Sequence, residues 1–205
     1  MAEVAFLDCD TQFDFMDPSG ALHVPGAETI VHSVRRLLDA ARRRGIPVIS
    51  AVDTHIENDP EFGEWPPHCV AGTPGQRKIP ETTWDDTILI PNRPVPIRLR
   101  PDAQIVIEKR IYSVFDNVNT DVVLREIGAR HFVVFGVATD HGVKAAVLGL
   151  LERGYASSVV TDAVKGMTPE GEREALSEMA AAGAKLVSTE EVMASLGGTG
   201  GGGAG

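Results

Sequence analysis

The sequence predicts an α/β fold in which a parallel sheet is covered by helices on both faces. Two observations carry this. Runs rich in Val, Ile and Phe recur along the 205-residue chain, and most gaps between them hold amphipathic stretches of helical period. The runs are also apolar nearly throughout rather than alternating, as strands buried on both faces must be.

The strand-like runs span residues 4–10, 46–53, 103–109, 131–139 and 157–162, with 185–188 a weaker sixth. The first helical stretch, 26–44, places Ile30, Val34, Leu37, Leu38 and Ala41 on one stripe and stops at Gly45, a C-cap signal. Its last turn carries Arg42, Arg43 and Arg44, whose charges complement the negative end of the helix dipole. Residues 119–127, 140–153 and 168–182 behave alike, and the last opens on Thr168, Pro169 and Glu170, a good helix start. The rhythm breaks at 54–102, which holds nine of the thirteen prolines and no helical pattern. Two tryptophans and two histidines inside it mark an ordered, working loop. Residues 1–196 read as one domain, and 197–205, seven glycines in nine residues, as a flexible tail.

A net charge of −10 and a pI near 5.0 repel a phosphate backbone, which argues against nucleic acid as a partner. No apolar run approaches the ~18 residues of a membrane span. The first residues lack the basic and apolar segments of a secretion signal, so a cytoplasmic location is expected. The two cysteines, Cys9 and Cys69, fit a reducing compartment rather than a disulfide framework.

Sites in open parallel sheets lie at the carboxyl ends of the strands. Four ends deliver polar residues: Asp10, Asp53 with His55, Lys109, and the turn 139–142. Asp53 and His55 are two apart and share a face if the strand continues, and His68 can return from the proline-stiffened loop to join them. A carboxylate and two imidazoles suit a divalent metal, Zn, Mn or Fe, with open positions for water or substrate. Glu61 or Glu64 could add a ligand, and the sequence does not choose between them. Asp10 and Lys109 would form an ion pair across neighbouring strands, as a structural salt bridge or as a proton shuttle beside a nucleophile. His23, His32 and His131 have no such company and read as surface residues.

The stretches DCDTQFDF, DTH, WPPHCVAGTPG, EKR and GVATDHGV, in that order, resemble the nicotinamidases of the isochorismatase-like cysteine hydrolase superfamily. The resemblance implies a three-layer α/β/α sandwich on a six-stranded parallel sheet, and hydrolysis of a small carboxamide such as nicotinamide to acid and ammonia. It implies that Asp10 and Lys109 activate a nucleophile, and that Asp53, His55 and His68 hold a metal that binds the pyridine nitrogen. Phe15 and Trp65 would pack on the ring. A cis peptide would fall at Val137–Ala138, with backbone N–H groups there forming an oxyanion hole. A homo-oligomer is also implied.

The family's nucleophilic cysteine, in the pattern G-x-A-T-D-x-C-V, falls here on Gly142. Cys9 should point to the opposite face from Asp10, and Cys69 matches a non-nucleophilic cysteine of the family. Three readings follow. The chain is an amidase scaffold without its thiol; or a vinyl-ether hydrolase like true isochorismatases, which have glycine there and use the aspartate as general acid; or a metabolite-binding protein without turnover.

Overall fold

The computed structural model describes residues 3–197. The apolar runs become β1 (Val4–Cys9), β2 (Val48–Asp53), β4 (Gln104–Lys109), β5 (His131–Val137), β6 (Ala156–Lys165) and β7 (Lys185–Val187). A further strand, β3 (Thr87–Ile90), forms inside the proline-rich segment, so the sheet has seven strands rather than six. Only four residues long, β3 lies at the sheet edge with Thr87 and Leu89 exposed, and its three apolar residues sit between Asp85-Asp86-Thr87 and Pro91. Such a run is too short and too framed by breakers to read as a strand. All pairings are parallel, in the order β3-β4-β2-β1-β5-β6-β7.

After the single turn α1 (Phe13–Met16) that follows β1, longer helices cover both faces. α2 (Val31–Arg44) and α6 (Thr189–Gly197) pack on one side, where Val34, Leu37, Leu38, Ala41 and Val192 bury against Phe6, Val48, Val133 and Phe135. α3 (Thr120–Ile127), α4 (Lys144–Glu152) and α5 (Pro169–Ala181) cover the other, burying Val123, Leu124, Val147, Leu150 and Met179 against Leu7, Ile49, Ile107 and Val134. Full burial of each such side chain contributes roughly 1.5–3 kcal/mol, so the sandwich rests on these two cores. Gly45 ends α2 in the left-handed region at φ 64, and Thr168 caps α5 by accepting from the Gly171 N–H at 3.0 Å.

Three details depart from expectation. The helix expected from residue 26 begins as a tighter turn, Ala27–Ile30, because Gly26 is left-handed at φ 83. The one expected from 140 begins as a wider turn, Thr139–Val143, before α4. Gly197 closes α6, and the remainder of the expected glycine-rich tail lies outside the described residues. Among the described residues no helix is long and apolar enough to cross a membrane.

The order of strands sets the position of the site. The chain fills one side of β1 with β2, β4 and β3, then crosses to the other with β5, so a switch point lies between β1 and β5. These two strands approach closely at Gly136, where φ is 115 and a Cβ would overlap the carbonyl oxygen of Cys9. Only glycine fits there.

Candidate active site

The carboxyl ends of β4, β2, β1 and β5, neighbours in the centre of the sheet, bring Lys109, Asp53, Asp10 and the 139–143 turn to one cavity. Asp53 and Lys109 are register partners on β2 and β4. Asp10 follows β1 directly and adopts φ 51, a left-handed conformation that costs a non-glycine residue energy and re-aims its carboxylate into the cavity. Its N–H still donates to Ala51 O at 3.0 Å, so the sheet holds the strained residue in place.

Lys109 is almost completely buried and lies between two carboxylates, with Nζ 2.6 Å from Asp53 Oδ1 and 3.1 Å from Asp10 Oδ2. Burial alone would lower its proton affinity, but Asp10 and Asp53 outweigh that and hold it above the ordinary lysine range. Burial pushes the Asp10 carboxyl up to about 8, against the pull of Lys109. Asp10 Oδ1 is buried with no hydrogen-bond partner among the described residues. Burial also opposes ionisation of Asp53, yet Lys109 and His55 together keep that carboxyl below its usual value. Two buried acids beside one lysine therefore differ in charge state.

Asp53, His55 and His68 are buried and offer one donor atom each, all within 4.8 Å of one another. Asp53 Oδ1 is taken by Lys109, which leaves Oδ2 facing His55 Nε2 at 3.8 Å and His68 Nε2 at 4.0 Å. His68 Nδ1 lies 2.9 Å from Pro66 O, an acceptor that places the proton on Nδ1 and the lone pair on Nε2. Both ring nitrogens of His55 are buried without a hydrogen bond, although Asp59 Oδ2 stands 3.3 Å from Nδ1. Orphaned imidazole nitrogens that converge with a carboxylate oxygen fit a divalent cation. Of the two glutamates left open by the sequence, Glu61 lines this cavity, whereas Glu64 is exposed and lines only an outer groove.

Phe15 and Trp65 line the same cavity, Phe15 with its ring centroid 5.3 Å from that of His68. The Val137–Ala138 peptide is cis, and Ala138 lines the cavity beside Gly142. A Cβ built on Gly142 would lie 2.6 Å from Asp10 Oδ2 and 3.5 Å from Val137 O. The place of the missing side chain thus adjoins the aspartate and the cis turn. Cys9 points into the core formed with α3, α4 and α5, and Cys69 is buried beneath Asp14, whose Oδ2 accepts from its N–H at 2.7 Å. Burial raises both thiols well above their ordinary range, so neither supplies a ready thiolate.

Residues 4–191 match the family model described as the isochorismatase domain. The chain belongs to the isochorismatase family. This family member is 31% identical to the nicotinamidase of Escherichia coli, over 89% of its own length and 93% of the relative's. A pyrazinamidase of Pyrococcus horikoshii, solved in complex with zinc, superposes with a TM-score of 0.77 at 33% identity, covering 91% of this chain and 99% of that one. A probable inactive nicotinamidase of Arabidopsis thaliana is 28% identical over 81% of this chain and 82% of the relative. The fold and the amidohydrolase class of this isochorismatase-family chain follow from these relationships.

Sequence reasoning missed several residues of the site. Gln12 clamps the Asp53 peptide, accepting from its N–H at 2.7 Å and donating to its carbonyl at 2.8 Å. Asp59 was legible only as the cap of a turn beginning Asp-Pro-Glu, and its reach to His55 depends on that turn folding back. Tyr112, which accepts from Trp65 Nε1 at 2.8 Å, carried no signal. His141 was in plain view beside Gly142 and also lines the cavity. His23 and His131 are half-buried rather than surface residues, the latter paired with Ser158 Oγ at 2.8 Å.

Proposed function

We propose that this chain carries a nicotinamidase-type site for a small neutral aromatic carboxamide, with Gly142 in the place of the cysteine nucleophile. The observation that carries the reading is the convergence of Asp53, His55 and His68 with Asp10 and Lys109 on one cavity that also holds Gly142. Asp53, His55 and His68, with Glu61 beside them, would hold a divalent metal, zinc by analogy with the Pyrococcus relative, and the ion would supply Lewis acidity toward a ring nitrogen. Phe15 and Trp65 would flank the ring. Backbone N–H groups about Val137 and Ala138 would stabilise charge on the carbonyl oxygen. Lys109 fixes Asp10, whose proton is then available at the scissile bond.

The charge of the cavity argues against the vinyl-ether reading. Its lining includes Asp10, Asp53 and Glu61 but no arginine, and its single lysine is already shared by two carboxylates. A dianionic substrate would enter without a counter-charge, whereas an amide needs none. Thermal unfolding with zinc present tests this: saturating nicotinamide should raise Tm by roughly 5–10 °C, and an unsaturated dicarboxylate should not. The reverse pattern would favour the vinyl-ether reading.

The assignment of the fourth ligand is tested separately. Glu61→Gln should weaken zinc binding by about tenfold or more, and Glu64→Gln should leave it unchanged, as measured by titration calorimetry.

A further inference from the structure

We propose that His141 is the catalytic base of a thiol-free hydrolysis at Gly142, in which water attacks the carboxamide and Asp10 protonates the departing ammonia. The proposal rests on the carboxamide reading of the site and deepens it, since a scaffold that keeps its acid, its metal donors and its aromatic walls still lacks only an attacking group.

The geometry points to His141 in three ways. It adjoins Gly142 in the chain and lines the same cavity as Asp10, Lys109 and Ala138. Its ring is wedged edge-on between Tyr112 and Trp65, with centroids 4.9 and 5.6 Å away, so its plane is fixed. Its Nδ1 is buried, 3.1 Å from Asp140 Oδ1, and makes no hydrogen bond; a proton taken up by the ring makes that contact an ion pair. Asp140 is itself held, accepting from the Met167 N–H at 3.1 Å. Nε2 makes no hydrogen bond among the described residues, and in the proposed step it is the nitrogen that takes the water proton. On the other side of Gly142, Asp10 Oδ2 lies where a side chain would begin, so no atom of residue 142 separates acid from substrate.

The chemistry balances with water as the only co-reactant. The water oxygen bonds to the carbonyl carbon as its proton passes to His141 Nε2, and the C=O π pair moves onto the carbonyl oxygen. Collapse of this tetrahedral oxyanion restores C=O and breaks the C–N bond while Asp10 gives its proton to nitrogen. The products are a carboxylic acid and ammonia, and transfer of the His141 proton to the Asp10 carboxylate resets the site. Burial keeps Asp10 protonated near neutral pH, which suits the role of acid.

The test compares ammonia release from nicotinamide, with zinc added, by the natural chain, His141→Gln, His141→Phe, Gly142→Cys and the two double variants. His141→Phe keeps the ring packing against Trp65 and Tyr112 without a basic nitrogen, and so guards against loss of folding in His141→Gln. Slow turnover by the natural chain is expected, with kcat lower by about 100-fold in either His141 variant and KM within about threefold. In the Gly142→Cys background, where a thiol attacks, the same changes should lower kcat by less than about fivefold. Equal losses in both backgrounds, or turnover by the natural chain that ignores His141, would overturn the proposal and leave the carboxamide reading intact. An inert natural chain beside an active Gly142→Cys overturns it in the same way, and an inert Gly142→Cys removes the carboxamide reading and the proposal together.

Discussion

Gly142→Cys is expected to raise ammonia release from nicotinamide by about three orders of magnitude or more, the scale on which covalent nucleophiles contribute to hydrolysis. The backbone permits the change, since Gly142 is not in the left-handed region. The new Cβ would fall 2.6 Å from Asp10 Oδ2, so the end of that side chain must swing aside by the better part of an ångström to admit it. The thiol would then stand between Asp10 and the cis turn, just before the N-terminus of α4, with Lys109 and the helix dipole favouring the thiolate. Gly142→Ala is the control, because it displaces Asp10 to the same degree and adds no sulfur. A gain in both variants would mean that moving Asp10, and not the thiol, had restored activity. No gain in either would count against the amidase scaffold.

Lys109→Ala is expected to destabilise the fold by about 3–5 kcal/mol, the cost typical of removing one partner from a buried charge cluster. For a chain of this length that is a Tm fall of roughly 6–20 °C. The loss has a pH signature. Without the ammonium at 2.6 and 3.1 Å, burial raises both Asp53 and Asp10 above their unfolded values. Groups raised in this way contribute their full stability below the unfolded carboxyl range, near pH 4, and lose it as pH climbs through the folded values. The gap between variant and natural chain should therefore be small in acid and widen toward neutral pH. A gap that narrows with rising pH would mean that Lys109 does not hold these carboxylates.

Much of the fold was legible because its signals are local. Apolar runs bounded by turn residues located the central strands to within two residues, and Gly45 and Thr168 placed helix ends by their own backbone and side-chain chemistry. Strand β3 was not legible, since its burial depends on β4 beside it rather than on its own pattern. Within the site, the residues at strand ends could be named from spacing, and the resemblance supplied their roles. Gln12, Asp59 and Tyr112 could not, because each acts through a partner more than forty residues away or through a folded-back loop. The choice of Glu61 over Glu64 likewise depends on which way one turn of chain faces.

Two glycines of the site region lack a side chain for different reasons. At 136 the left-handed backbone and the carbonyl of Cys9 leave no room, and the fold itself excludes any other residue. At 142 neither constraint applies, so the architecture tolerates a side chain that the chain happens not to carry. Glycine at 136 is therefore a requirement of the backbone, and glycine at 142 is not.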